Sequence, residues 1–128
     1  MTRTNIKSRS SYGNDIGFSR AVRIGNVIAV SGTAPIGPDG KSAHVDDLFN
    51  QTKRCLQIIK DAMEEAGGKL DNIIRTRVYL VDISRWEEAA RAHREYFSKI
   101  IPACSFVEVK GLIDKNWLVG IEADCIVE

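Results

Sequence analysis

From Val27 to Thr33 the chain reads Val-Ile-Ala-Val-Ser-Gly-Thr, an apolar run bounded by turn signals. That pattern predicts a strand buried on both faces. Phe18 to Ile24 predicts the strand before it, with Gly25-Asn26 as the short turn between them. From about Val45 to Ala66 the period changes. Val45, Leu48, Thr52, Cys55, Ile59, Ala62 and Ala66 recur at steps of three and four, the buried stripe of a helix. Gln51, Lys53, Arg54, Lys60, Asp61, Glu64 and Glu65 fall largely off that stripe, and Gly67-Gly68 supplies a left-handed ending. Ile73 to Val81 alternates again, with Ile74, Thr76, Val78 and Leu80 opposing Arg75, Arg77 and Tyr79. Ser84 opens a second helix, and Glu87 stands at the capping-box spacing from it. Trp86, Ala89, Ala90, His93 and Phe97 form its stripe; Pro102 cannot continue it. Two more strands end the chain. Ser105, Val107 and Val109 alternate with Phe106, Glu108 and Lys110. After a turn at Asp114 to Asn116, Val119, Ile121, Ala123, Cys125 and Val127 alternate with Leu118, Gly120, Glu122, Asp124 and Ile126. Residues 1–17, polar and serine-rich at Ser8 to Ser11, predict a loose arm.

The predicted order is strand, strand, helix, strand, helix, strand, strand. Two amphipathic helices on one face of a sheet make an α+β sandwich, a single domain over residues 1–128. The second sheet face carries apolar residues and charges together. Glu122 and Asp124 there need water or basic partners, and Arg75 and Arg77 are the candidates, as opposed charges across strands. In a chain this small, such a face predicts burial against copies of itself.

Bulk properties narrow the function. Net charge is +1, with 18 basic and 17 acidic side chains mixed along the chain. That disfavours nucleic acid or an anionic membrane as a partner. No apolar run approaches the ~20 residues of a membrane span, and no apolar h-region follows the basic start, so a cytoplasmic protein is expected. Cys55, Cys104 and Cys125 are sparse and odd in number, which predicts free thiols in a reducing compartment. His44 and His93 have no thiol at zinc spacing, so no metal is expected.

Several stretches together resemble the RidA (YjgF, L-PSP) family over nearly the whole chain. They are Gly17-Phe18-Ser19-Arg20-Ala21-Val22, Gly25-Asn26, Val30-Ser31-Gly32-Thr33, Gln51-Thr52, Ala66-Gly67, Arg75 to Asp82, Pro102-Ala103, Val107-Glu108-Val109 and Ile121-Glu122-Ala123. The resemblance implies a chorismate-mutase-like fold and a homotrimer whose sheets line a central barrel. It implies small-molecule pockets in the clefts between subunits. It also implies cofactor-free hydrolysis of reactive enamines and imines such as 2-aminoacrylate. Carried over residue by residue, the pocket would be lined by Phe18, Ser31, Gly32, Thr33, Ala90, Cys104, Ser105, Phe106 and Gly120.

This chain departs from the pattern of the active deaminases. Their carboxylate-clamping arginine is Cys104, and the cysteine two residues on is Phe106. The N-terminal tyrosine is Phe18, an asparagine of the second helix is Ala90, and the water-positioning glutamate is Gly120, while Glu122 matches a second glutamate. A thiol does not replace a fixed fork of cationic donors, and glycine removes an acid/base group altogether. Cys104 is the one candidate nucleophile, set against a plain reading as a small, half-buried residue without a basic neighbour to activate it. Three functions are compared: a divergent hydrolase or deaminase, a non-catalytic small-molecule-binding trimer, and a ribonuclease or translation inhibitor. Balanced charge and isolated histidines disfavour the third. The lost arginine favours binding or altered chemistry over the family reaction.

Overall fold

A computed structural model of the chain describes residues 2–128. The elements are β1 (Arg3–Ile6), α1 (Tyr12–Ile16), β2 (Ala21–Ile24), β3 (Val27–Thr33), α2 (Leu48–Glu65), β4 (Ile73–Leu80), α3 (Trp86–Phe97), β5 (Ala103–Glu108) and β6 (Val119–Ile126). The strands make one mixed sheet in the order β1-β2-β3-β6-β4-β5. Every pairing is antiparallel except β4–β5, whose connection runs through α3 as a parallel pair requires. The two long helices follow the predicted periodicity. α2 buries Leu48, Thr52, Cys55, Ile59 and Ala62, and α3 buries Ala89, Ala92 and Phe97. Their stripes join Ile28, Val30, Val78, Ile121 and Ala123 of the sheet in one core.

The structure corrects the sequence reading at four places. The expected loose arm instead contains β1, paired to β2 from Arg3↔Ile24 to Ile6↔Ala21, and the short α1. Only Ile6 of β1 is buried, so its polar sequence hid the strand. β3 is not buried on both faces: Ile28, Val30 and Thr33 are buried while Val27 is exposed, because no helix covers the second face. The second helix does not begin with a Ser84–Glu87 capping box. The Asp82 carboxylate takes the Ser84 N–H and hydroxyl at 3.0 and 2.6 Å in a short turn, and α3 starts at Trp86, itself 49% exposed. Gln51, placed off the buried stripe of α2, is fully buried, while Val45 lies before the helix and is exposed.

The end of α2 gives a test of the backbone reading. Gly67 has φ 90°, and a Cβ there would lie 2.6 Å from Arg23 Nη1. That nitrogen donates to the Ala66 carbonyl at 2.8 Å, tying β2 to the helix terminus. Gly67→Ala is expected to cost about 1–2 kcal/mol from the left-handed backbone alone, with more if Arg23 is displaced. Thermal melts check this; an unchanged midpoint would contradict it.

Candidate functional site

The uncovered sheet face is built by alternation. β4 and β6 pair Arg75 with Asp124, Arg77 with Glu122 and Tyr79 with Gly120. Arg77 Nη1 reaches Asp124 at 3.1 Å, diagonally across the pair. The Tyr79 hydroxyl donates to Glu122 at 2.5 Å, and that bond raises the phenol's pKa above its ordinary value. Arg75 has no carboxylate within 4.0 Å among the described residues. Ser105 and Val107 of β5 register with Arg77 and Tyr79, so they share this face. Gly120 is buried there, with room for a Cβ 3.7 Å from Leu112 and 3.8 Å from the Thr33 carbonyl.

A second group forms at the end of β3. Val30 faces Ala123 and Thr33 faces Ile121, so β3 carries one more residue than β6 across Ser31–Gly32. Such a bulge re-aims side chains and breaks the ladder locally. The Ser31 hydroxyl donates to the Ser19 and Arg20 carbonyls at 2.9 and 3.1 Å. Arg20 Nη1 donates to the Gly32 carbonyl at 2.8 Å and to Thr33 Oγ1 at 2.7 Å. The Phe18 ring centroid lies 5.3 Å from the same guanidinium. Phe18, Arg20, Ser31, Gly32 and Thr33 line a partly open cavity of about 830 Å³, whose other sides come from the N-terminal segment, the loop after β3, α2 and the stretch before β6.

A third group lies on the helix-covered side of β5. Cys104 and Phe106 register with the buried Thr76 and Val78, opposite in face to Ser105. His93 of α3 points at them: its Nε2 is 2.9 Å from Thr76 Oγ1 and 3.8 Å from the exposed Cys104 thiol. Phe97 and Phe106 pack on the imidazole at centroid distances of 4.6 and 6.1 Å. So the titratable neighbour of Cys104 that the sequence did not reveal is His93. Ala90 is half-buried on α3 and outside the cavity wall.

The expected pocket residues therefore fall into separate places within one chain. Ser31–Thr33 and Cys104 stand on β3 and β5, with β6 and β4 between them. Three strand spacings are roughly 14 Å, too far for one small ligand to touch both. Arg20, which lines the cavity, was not among the residues the sequence suggested. Its only sequence signal was an arginine at the mouth of an apolar strand, a position where burial needs partners.

Burial pulls the His93 imidazole down to about 4 from 6.5. In the folded chain it stays neutral through the range in which the unfolded chain protonates. Its contribution is full above pH 6.5 and is lost as pH falls towards 4, because only the unfolded state takes up the proton. Between pH 7 and 5 the loss is expected to be about 1 kcal/mol once solvent screening of the partly exposed ring is discounted, with about 2 kcal/mol as the ceiling, and His93→Gln should flatten that part of the curve. Denaturant titrations at each pH read this directly; a native protein equally stable at pH 7 and 5 would contradict it.

Comparison with known proteins agrees with this architecture. The family described as Endoribonuclease L-PSP matches residues 11–127. A RutC family protein of Pyrococcus abyssi is 37% identical over 106 residues, 83% of each chain. The crystal structure of a YjgF-family protein of Mycobacterium tuberculosis superposes with TM-score 0.89 at 43% identity, covering 98% of this chain and 100% of that one. The Escherichia coli YjgF structure gives TM-score 0.79 at 28% identity over 87% of this chain and 88% of its own. With the same α+β sheet and helix layer, and a match over nearly its whole length, the chain belongs to the RidA/YjgF/L-PSP family.

Proposed function

We propose that this chain is one RidA-like domain that forms a cytoplasmic homotrimer and binds a small metabolite in pockets completed between protomers, without 2-aminoacrylate deaminase activity. The observation that carries the reading is the separation of the expected pocket residues onto β3 and β5. β5 is an edge strand, exposed along most of its length, so its outer edge is free to meet another protomer. The uncovered face supplies matching material: Arg77, Asp124, Tyr79 and Glu122 already paired, beside exposed Val27, Ile24 and Val107. A neighbour's β5 edge, laid against the β3 end, brings Cys104 and Phe106 to the cavity that Phe18 and Ser31 line. The three thiols are free, as a reducing compartment would leave them. No nucleic-acid track and no cofactor enter the proposal.

The reading predicts ligands that raise the melting temperature. A screen of small metabolites by thermal shift tests it, since binding to the native state alone stabilises that state. A hit whose effect disappears on placing a bulky residue at Ser31 supports the reading; no hit across amines, imines and organic acids argues against it. One observation favours the alternative of a divergent hydrolase acting on a small imine or enamine: the neutral His93 beside Cys104. Under that alternative, Cys104→Ser abolishes turnover while leaving the fold intact.

A further inference from the structure

The cavity under the N-terminal segment holds a cation without a counter-charge. Arg20 is only 9% exposed. Among the described residues its guanidinium is engaged through Nη1 alone, with the Gly32 carbonyl and Thr33 Oγ1. Nε and Nη2 have no protein partner, yet no buried side-chain nitrogen is left unpaired among the described residues. These two donors are therefore open, and the space beside Arg20 is the cavity. No carboxylate lies within 4.0 Å of Arg20 among the described residues.

The rest of the wall repeats the imbalance. Arg54 joins it, donating through Nε to the Ile36 carbonyl at 2.7 Å, and also lacks a carboxylate partner among the described residues. Lys7 and Arg9 lie at the exposed rim of the wall, Arg9 paired with Glu65 at 3.9 Å, and Asp61 is the one acidic residue lining it, so Arg20 and Arg54 are the cations of the interior. Charge of one sign in a low-dielectric cleft focuses field on a ligand of the other sign. The remaining wall mixes hydroxyls, Ser8, Ser31 and Thr33 among them, with an apolar part that includes Ile58, Ile113 and Trp117. A volume of about 830 Å³ suits a small organic molecule.

We propose that this cavity binds an organic acid with an apolar body. Its carboxylate takes the side-on Nε and Nη2 donors of Arg20, the pair of parallel N–H groups that a carboxylate bridges. Arg54 adds its field, and the body of the ligand packs against Phe18 and the apolar wall. The inference rests on the Phe18–Thr33 wall being part of a ligand site, but not on the trimer.

The test compares phenylacetate, its neutral isostere phenylacetamide, and inorganic phosphate, by calorimetry on the full chain at low salt. Phenylacetate should bind at least about tenfold tighter than the amide, since a charge-assisted pair is worth that much or more. Phosphate should not displace it, because it offers no apolar body. Arg20→Gln should remove the preference for the acid, and Arg54→Gln should weaken it a few-fold. If Arg20→Gln does not fold, the wild-type comparison of acid and amide still decides. Equal binding of acid and amide, no binding of the acid, displacement by equimolar phosphate, or a folded Arg20→Gln variant that keeps the preference would each overturn the proposal. A monomeric protein that still prefers the acid would sink the trimer reading and leave this one standing. A trimer stabilised only by neutral ligands would do the reverse.

Discussion

Keto-acid release from freshly generated 2-aminoacrylate is expected to run close to the uncatalysed rate in the presence of this protein. Where active members of the family carry a carboxylate-clamping arginine, this chain has Cys104, and where they carry a water-positioning glutamate it has Gly120. Loss of a charge-assisted clamp is worth about 1.5–3 kcal/mol, and loss of a general acid/base about 10²–10⁴ in rate. Acting as a unit, the two need not lose activity additively, but a deficit on the order of 10³ or more follows from either route combined with the other. Arg20 does not restore the reaction in this account, because a substrate held by its carboxylate still lacks a group to activate the water that attacks its imine carbon. Cys104→Arg alone should improve carboxylate binding more than turnover. Cys104→Arg with Gly120→Glu should do better, since a Cβ at 120 meets Leu112 only at ordinary contact distance, 3.7 Å. Native turnover comparable to that of an arginine-containing family member would contradict the account.

Replacement of Gln51 by alanine should unfold the protein near ambient temperature or lower its midpoint by roughly 10 °C or more. The side chain is fully buried and makes three hydrogen bonds, both of its donors included. Nε2 donates to the Ala43 carbonyl at 3.2 Å and the Asn116 carbonyl at 2.8 Å, and Oε1 accepts from the Leu118 N–H at 2.8 Å. It thus fastens two long loops to α2, one of which leads into β6. Alanine leaves those three backbone groups without this partner, at about 1–3 kcal/mol for each that water does not reach. A loss of about 3–5 kcal/mol is a large share of a domain's total stability. Gln51→Glu should also destabilise, since it removes both donated bonds and buries a charge. Melting curves for both variants read the effect, and native-like midpoints would show that the loops are held by something else.

What the sequence disclosed tracks the length of each pattern. α2, α3, β4 and β6 run long enough for their periods to be read, and they placed most of the core, though Val45, Ile74 and Trp86 of the predicted stripes are exposed. The alternation in β4 and β6 puts Arg77 and Asp124 on one face, where they meet at 3.1 Å. β1 was illegible because four residues with one buried side chain carry no period. Gln51 was misplaced because a polar residue three positions from Leu48 looks like a solvated neighbour until loops close over it. The start of α3 was misread for a related reason: Asp82, two residues before Ser84, captures the serine and moves the helix start to Trp86. The candidate site was less legible than the fold. The contact between His93 and Cys104 joins a helix to an edge strand, and the Arg20 cation depends on a bulge at Ser31–Gly32. Neither is a property of local spacing.

If one chain holds only part of the pocket, the mass in solution shows it most directly. Light scattering of the purified chain at micromolar concentration should give three times the 14.2 kDa protomer. A stable particle of 14.2 kDa would contradict the account, because Cys104 and the Ser31–Thr33 wall would then have no neighbour to bring them together.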